Sequence, residues 1–137
     1  HPAATILHAS HFETLHEAKT WLREKIKNKE FFVVVDGKEV LGLLLYERDY
    51  SHYANYISDI VVAKKHRRKG VAHALLEKYI AVSKKETPKK QRYALSSTTG
   101  TNKISIKMHL SFGFKELGRV EKLHYGKEEV FFGYRLY

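Results

Sequence analysis

Apolar residues recur at two spacings along the chain, and these spacings predict helices and strands. Over Phe12–Lys27 they stand three or four positions apart, which is the period of an amphipathic helix that Ser10 could cap. Phe31–Val35 and Val40–Glu47 are strand-like runs on either side of Asp36-Gly37, a pair that favours a two-residue hairpin turn. The pattern therefore predicts a helix followed by a β-hairpin.

The rest of the chain alternates between strands and helices. In order, we predict a tyrosine-rich loop Glu47–Tyr53, a strand Tyr56–Val62, a helix Val71–Lys84, a basic linker Lys84–Gln91, a strand Tyr93–Thr98, a helix Asn102–Leu110, and a closing hairpin of Phe114–Lys122 with Glu129–Leu136. The segment before Phe12 has no clear pattern, and Thr5–His8 could form a short first strand. This order predicts an α/β or α+β domain in which helices pack on a mixed sheet.

The composition fits a single globular domain over all 137 residues. No apolar run approaches the roughly 20 residues that a membrane span needs, so we expect no membrane partner. The chain has no cysteine, which excludes disulfides, thiolate metal sites and a cysteine nucleophile. We expect a cytoplasmic protein, either monomeric or homodimeric. The first residue is His1 rather than Met, which leaves open that residues before it are missing.

The net charge of +10 and the pI of about 9.7 suit a polyanionic partner, such as nucleic acid, an anionic membrane or a phosphate-bearing cofactor. The basic stretches lack the interleaved aromatic residues that a platform for single-stranded nucleic acid needs, so we do not expect nucleic acid as the partner. The nine histidines have no paired ligand spacing, so we expect no metal.

One strand–turn–helix stretch could hold a phosphate group. A strand ending in Ile60, Val61 and Val62 runs into a basic turn, Lys64–Lys69, which Gly70 and an apolar helix follow. The first N–H groups of a helix have no internal partner, and the helix dipole is positive there. A glycine lets the backbone approach an anion closely. Neither G-x-x-x-x-G-K-[ST] nor G-x-G-x-x-G is present, so this is neither a P-loop nor a dinucleotide fingerprint.

Two segments resemble blocks of the GNAT superfamily of N-acetyltransferases. Arg67–Ala72 reads R-x-x-G-x-A, which is similar to that superfamily's pyrophosphate-binding motif, [QR]-x-x-G-x-[GA]. Asn102–Phe114 reads N-x-x-S-x-x-x-H-x-x-x-G-F and resembles the block N-x-x-A-x-x-x-Y-x-x-x-G-F. The blocks stand in the family's order, and with the hairpins the resemblance covers about Phe31–Tyr137.

The resemblance implies a fold and a co-substrate. The fold is a mixed, mostly antiparallel central sheet with helices on both faces, splayed between Tyr56–Val62 and Tyr93–Thr98. The co-substrate is acetyl-CoA, whose pantetheine arm would pair with the end of the first of these strands and whose pyrophosphate would lie on the backbone amides of Arg68–Ala72. The residues that the resemblance assigns to this cofactor are Ile60, Val61, Val62, Arg67, Arg68, Lys69, Gly70, Val71, Ala72 and Asn102.

The catalytic positions depart from the family's pattern. Many members have Tyr where His109 stands, to protonate the leaving thiolate, and a histidine can also give or take a proton near neutrality. Alternatively, His109 is a buried histidine bonded to a neighbour. Many members also have a Glu base before the turn. Here the corresponding carboxylate is Asp59, which could act in catalysis or orient a loop. An amine that arrives neutral needs no base, and the N–H of Val62 could then stabilise the oxyanion.

These features predict an acetyl-CoA-dependent N-acetyltransferase that acts on a primary amine. Ser105–Phe114 reads S-I-x-x-H-x-x-x-G-F, which resembles the subset that acetylates small amino acids, as phosphinothricin acetyltransferases do, although that subset's C-terminal Trp is missing. A peptide N-terminus or a lysine is the alternative acceptor. A non-catalytic CoA sensor and a basic nucleic-acid-binding module are alternatives of another class. The polar run Ser96–Thr99 could line an acceptor pocket or be an ordinary strand end.

Overall fold

A computed structural model describes residues 2–11, 13–51 and 53–137 of the chain. Within these ranges, four α-helices and six β-strands follow one another. In chain order they are α1 (Pro2–His11), α2 (Leu15–Lys27), β1 (Phe31–Asp36), β2 (Glu39–Ser51), β3 (Ala54–Val62), a short 3-10 helix (Lys64–His66), α3 (Val71–Glu86), β4 (Tyr93–Thr99), α4 (Lys103–Phe112), β5 (Lys115–His124) and β6 (Lys127–Arg135).

The strands form a mixed, mostly antiparallel sheet, which confirms the predicted fold class. Its strand order is β1-β2-β3-β4-β6-β5. β1 pairs with β2, β4 with β6 and β5 with β6 in antiparallel fashion, whereas β3 and β4 run parallel. The parallel register places Tyr56 opposite Leu95. The splay predicted further along these two strands stays a prediction.

The first described segment is a helix, so the prediction of a short strand at Thr5–His8 is wrong. Ala3, Ala4 and Leu7 of α1 are all fully buried. Leu7 follows Ala3 by four residues and Ala4 by three, which places all three on one face of a helix, and alanine is the strongest helix former. This face packs in a cluster with Ala18 of α2 and its neighbours.

The second helix starts later than the apolar spacing predicted. Thr14 caps α2, because its hydroxyl oxygen accepts a hydrogen bond of 3.1 Å from the backbone N–H of Glu17. A threonine followed three residues later by a glutamate is a helix-start signal. Ser10, the predicted cap, belongs instead to α1. Phe12, the predicted first residue of the helix, lies outside the described residues.

The first hairpin is confirmed, but its second strand is longer than predicted. Asp36 pairs with Glu39, which leaves Gly37 at φ +61° as the first residue of the two-residue turn. β2 then continues to Ser51, so the predicted loop Glu47–Tyr53 is wrong over most of its length. The ring of Tyr50 stacks on that of Tyr56 in β3, with centroids 4.5 Å apart, and such cross-strand aromatic pairs favour strand over loop.

The later elements agree with the prediction to within two residues at most ends. β3, α3, β4, α4 and the closing hairpin of β5 with β6 all occupy the predicted segments. Among the described residues, the helices are too short or too polar to cross a bilayer.

The described residues divide into two compact units. The first comprises His1–Glu47 with Ser58–Tyr79, and the second comprises Arg48–Ile57 with Ile80–Tyr137. The prediction that residues 1–137 act as a single domain stays a prediction. The first unit's core holds Ala3, Ala4, Leu7, Ala18, Leu22, Val40, Leu43, Leu45 and Val61. Buried apolar residues of the second unit include Ile80, Ala94, Phe114, Val130 and Phe132.

Gly42 marks a close approach of β2, β3 and α3 inside the first unit. A Cβ at this position would lie 2.7 Å from Cγ1 of Val71 and 2.9 Å from the carbonyl oxygen of Val61. A backbone oxygen cannot move aside without shifting its strand. Glycine is therefore required where the start of α3 packs beside the end of β3.

Candidate active site

The basic turn is held by backbone hydrogen bonds at the end of β3. Ala63 donates its N–H to the carbonyl oxygen of Leu41 at 2.8 Å, and His66 donates its N–H to the carbonyl oxygen of Ala63 at 2.8 Å. Arg67 returns toward the strand, because its Nε donates to the carbonyl oxygen of Val62 at 3.4 Å. The turn is thus anchored to the strand end whose main chain is predicted to pair with pantetheine.

Gly70 stands at the start of α3 and leaves open space beside it. The carbonyl oxygen of Gly70 accepts the N–H of Ala74 at 3.0 Å, so the glycine occupies the cap position of the helix. Its φ is +78°, and a Cβ built there would meet nothing within 4 Å. A glycine cap brings no side-chain oxygen to the first amides of the helix. Those amides, beginning with that of Val71, can therefore be offered to an anion.

The charges of the basic turn are partly balanced by one carboxylate of the hairpin. Oε1 of Glu39 lies 2.6 Å from Nζ of Lys65 and 2.8 Å from Nε2 of His66. The hydrogen bonds from Lys65 and His66 lower the pKa of the Glu39 carboxyl to about 2. Arg68 and Lys69 are exposed. Positive charge therefore remains close to the first turn of α3.

His109 lies buried in the second unit, 1% exposed. Its Nδ1 is 2.8 Å from the carbonyl oxygen of Ser105, and its Nε2 is 2.7 Å from Oγ of Ser96. Its ring stacks on that of Phe132, with centroids 4.5 Å apart and planes inclined by 6°. His109, Ser96, Ser105 and Phe132 are called the His109 cluster below.

The hydrogen bonds of His109 determine its tautomer. A carbonyl oxygen only accepts, so Nδ1 carries the hydrogen and donates it to Ser105, while Nε2 accepts from the hydroxyl of Ser96. Burial lowers the pKa of the His109 ring below its usual value near 6.5, and the hydrogen bond to Ser105 opposes this only in part. The resting ring is therefore a neutral imidazole whose Nε2 can take a proton through Ser96.

Asp59 and Asn102 both make hydrogen bonds within their own units. Asp59 is 7% exposed and accepts a hydrogen bond of 2.9 Å from Nε1 of Trp21, which links β3 to α2. Asn102 caps α4, because its Oδ1 accepts the N–H of Ser105 at 3.0 Å. These contacts give each residue a structural role, and the catalytic and cofactor roles assigned to them stay predictions.

The structure distributes the predicted site residues over the two units. The first unit holds Asp59 and the continuous cofactor segment Ile60–Ala72, and the second unit holds Asn102 and His109. Within the part of the chain that is described, no group of three or more histidine, aspartate or glutamate side chains could hold a metal ion.

Three polar side chains that no spacing in the sequence links lie together in the second unit. The hydroxyl of Tyr56 on β3 bonds Oγ of Ser97 on β4, and Oγ of Ser97 donates to Oε2 of Glu129 on β6 at 2.6 Å. The only local signal was the polar run Ser96–Thr99, and that run could not name its partners on two other strands.

Comparison with known proteins identifies the family. The profile described as "Acetyltransferase (GNAT) family" matches residues 2–114. The chain belongs to the GNAT family of acetyltransferases. The match confirms the family and the enzyme class expected from Arg67–Ala72 and Asn102–Phe114, an acyltransferase that uses acetyl-CoA. A search of curated protein sequences found no match.

Solved GNAT structures share the fold over most of the chain. An N-acetyltransferase from Staphylococcus aureus Mu50 is 28% identical, with 90% of this chain and 78% of that chain covered and a TM-score of 0.71. An acetyltransferase of the GNAT family from Bacillus cereus ATCC 10987 is 22% identical, with 98% and 88% covered and a TM-score of 0.80. A Bacillus anthracis str. Ames protein in complex with acetyl coenzyme A is 19% identical, with 77% and 61% covered and a TM-score of 0.66.

Proposed function

We propose that the protein transfers the acetyl group of acetyl-CoA to the primary amine of a small amino-acid-like molecule. The observation that carries this proposal is the glycine-capped start of α3 directly after the basic turn. Open space beside Gly70 and exposed cations at Arg68 and Lys69 suit the pyrophosphate of the cofactor.

The cofactor contacts follow the chain from β3 into α3. Main-chain groups of Ile60, Val61 and Val62 would pair with the pantetheine arm. Backbone amides from Arg68 to Ala72 would receive the pyrophosphate, and the side chain of Arg67 or Lys69 would neutralise its charge. Asn102 would bond the pantetheine amide in addition to capping α4.

Acetyl transfer requires attack of a neutral amine on the thioester and protonation of the departing thiolate. The N–H of Val62 would stabilise the tetrahedral oxyanion. Asp59 is the carboxylate that β3 itself supplies near its end, and its bond to Trp21 holds it in one orientation. Positioning of the two reactants then provides a large part of the rate enhancement.

We propose His109 as the group that delivers the proton to the thiolate. Because the resting ring is neutral, it must first gain a proton, and Ser96 is the side chain through which Nε2 can receive it. The nitrogen of the tetrahedral intermediate carries a proton that it must lose. Passing this proton through Ser96 to His109 and back to sulfur leaves the enzyme unchanged.

The basic surface favours an acceptor that carries a carboxylate, which supports an amino-acid-like molecule over a polycation. A peptide N-terminus or a lysine side chain is the second candidate acceptor. It would need an open approach beside the connection from β2 to β3. β2 extends to Ser51 and β3 begins at Ala54, so no long loop occupies this connection.

Calorimetric titration with acetyl-CoA, CoA and ATP tests cofactor use. We expect both CoA forms to bind much more tightly than ATP. Thiol release from acetyl-CoA would then be measured with the twenty amino acids, ethanolamine, putrescine and short peptides with free N-termini. Tight CoA binding without turnover on any amine would indicate a sensor. Equal weak binding of all three ligands would contradict the proposal and direct attention to nucleic acid.

A further inference from the structure

We propose that Glu129, acting through Ser97 and Tyr56, takes up the proton that the acceptor's ammonium group must lose before it attacks the thioester. The proposal rests on acetyl transfer to an amine and supplies a base that no glutamate on β3 provides. Tyr56 is the residue that would touch the amine, and Ser97 and Glu129 would act through it.

The hydrogen bonds of this relay have one possible direction. Oγ of Ser97 donates to Oε2 of Glu129 at 2.6 Å, because an ionised carboxylate can only accept. A serine hydroxyl has a single hydrogen, so the hydroxyl of Tyr56 must donate to Ser97. A phenolic oxygen that donates its own hydrogen accepts through its lone pairs, and an ammonium N–H is a suitable donor.

Glu129 has no cationic side chain opposite it on the described neighbouring strands, whereas the adjacent Glu128 has one beside it. The residues opposite Glu129 are Thr99 on β4 and Val120 on β5, neither of which is charged. Its Oε1 is buried and has no hydrogen-bond partner among the described residues. Glu128, in contrast, pairs with Nη1 of Arg119 at 3.0 Å. A buried, unsatisfied carboxylate oxygen is unfavourable in a folded protein and calls for a functional explanation.

The phenol end of the relay lies at a partly exposed aromatic pair. Tyr56 is half-buried, and Tyr50, which stacks on its ring, is 54% exposed. Two tyrosine rings also attract a cation through their faces. The relay thus runs from an aromatic pair that suits an ammonium group to a half-buried carboxylate with one buried oxygen.

The proton balance closes without another reactant. One N–H bond of the ammonium breaks as its proton passes to Oη of Tyr56, whose own proton moves to Oγ of Ser97, whose proton moves to Glu129. The products are a neutral amine and a protonated carboxyl group, which returns the proton to water by the reverse path after each turnover. Ser96 and Ser97 alternate in face along β4, so this relay is separate from the His109 cluster.

The test compares Glu129→Gln with Glu128→Gln, a matched change at the next residue. The acceptor is the amine that gives the fastest thiol release in the panel described above, assayed at about pH 7 and about pH 9.5, where more of an alkyl amine is neutral. We expect Glu129→Gln to lower kcat/KM by about 100-fold or more near pH 7, with the difference closing toward the higher pH. Glu128→Gln should match the wild type at both pH values, and acetyl-CoA affinity should be unchanged in both variants.

A loss of activity that is equal at both pH values would overturn the relay, because it would indicate a structural role only. Activity within about threefold of the wild type near pH 7 would overturn it as well. If Glu129→Gln does not fold, Ser97→Ala applies the same criterion, since it keeps the carboxylate and breaks the link to Tyr56. If the wild type binds acetyl-CoA but acetylates no amine, the proposed function fails and the relay fails with it. Normal turnover in every variant would contradict the relay but leave the proposed acetyl transfer standing.

Discussion

The basic turn lies exposed after β3, with open space at Gly70, whereas His109 is 1% exposed and bonded at both ring nitrogens. The basic turn presents its lysine and arginine side chains to water. The His109 cluster holds a titratable ring in its neutral form, stacked on Phe132. Both lie in segments that resemble family motifs, yet their physical surroundings are opposite.

Because of this difference, we expect the basic turn to contribute mainly to ligand binding and the His109 cluster to contribute to stability as well. An exposed turn that presents amides and cations can bind an anion without contributing packing to the fold. A buried ring contributes packing and hydrogen bonds, so any change to it acts on stability as well as on proton transfer. Substitutions in the basic turn should therefore change ligand affinity more than stability, and substitutions in the His109 cluster should change two properties together.

The largest effect is expected for Gly70→Asp, which places a carboxylate at the start of α3. Repulsion of the pyrophosphate should weaken acetyl-CoA binding by about 100-fold or more. The fold is retained because the side chain has open space, although an L residue at φ +78° costs about 1–2 kcal/mol of stability. Calorimetry measures the affinity, and thermal unfolding measures the stability. Gly126→Asp is the control, since Gly126 has a similar φ of +74° and equally open surroundings in another turn. Equal losses in both variants would show that the backbone conformation, rather than the site, causes the effect.

The second prediction concerns His109→Phe, which tests the buried His109 cluster. A phenylalanine ring can still stack on Phe132, but it cannot carry a proton and leaves Ser96 and Ser105 without their ring partner. We expect kcat to fall by about 100-fold or more with acetyl-CoA affinity unchanged, and the free energy of unfolding to fall by about 1–3 kcal/mol. Steady-state kinetics and urea titration measure these quantities.

The exposed His124→Phe serves as a control for the histidine change and should alter neither property. Normal turnover in His109→Phe would contradict its role in proton transfer and leave it as a packing residue. The stability loss should remain in that case, because it depends only on the buried contacts.

Gly42 of the first unit and Gly118 of the second extend the comparison to packing. Gly42→Ala introduces a methyl group 2.9 Å from the carbonyl oxygen of Val61, so we expect a loss of about 1–3 kcal/mol in the free energy of unfolding. Gly118→Ala meets nothing within 4 Å and should change stability by no more than about 0.5 kcal/mol. Urea denaturation of the two variants measures both values. A neutral Gly42→Ala would show that β2, β3 and α3 can separate without cost.

The smallest effect is expected in the stability of the protein at acidic pH. Burial lowers the pKa of His109 in the folded protein, so below about pH 6.5 the unfolded chain binds this proton more readily than the folded one. The stability that neutral His109 contributes is therefore complete above about pH 6.5 and is lost as the pH falls. Urea midpoints measured at about pH 7.5 and about pH 5 should decrease more in the wild type than in His109→Phe. Equal decreases would contradict a neutral, buried ring.

The sequence predicted the features that are local in the chain. The basic turn and Gly70 fall within one short segment, so their order in the sequence is also their order in space. The hairpins, β3, α3, β4 and α4 were predicted for the same reason, since apolar periodicity and turn residues act over a few positions.

The features that were missed depend on contacts between distant segments. The prediction of a strand at Thr5–His8 missed the helix face formed by Ala3, Ala4 and Leu7. That face is recognisable only from its packing against α2. The relay of Tyr56, Ser97 and Glu129 joins three strands, and no spacing in the sequence links those positions. Gly42 lies within a strand, where no turn signal marks it. Glycine is required there because Val61 and Val71 leave no room for a side chain.

The most direct test of the account is amine-dependent release of CoA thiol from acetyl-CoA by the wild type, Gly70→Asp and Gly126→Asp. We expect release by the wild type that depends on an added primary amine, is retained in Gly126→Asp and is lost in Gly70→Asp. Absence of amine-dependent release in the wild type, or equal release in all three proteins, would contradict acetyl transfer from a cofactor bound at the start of α3.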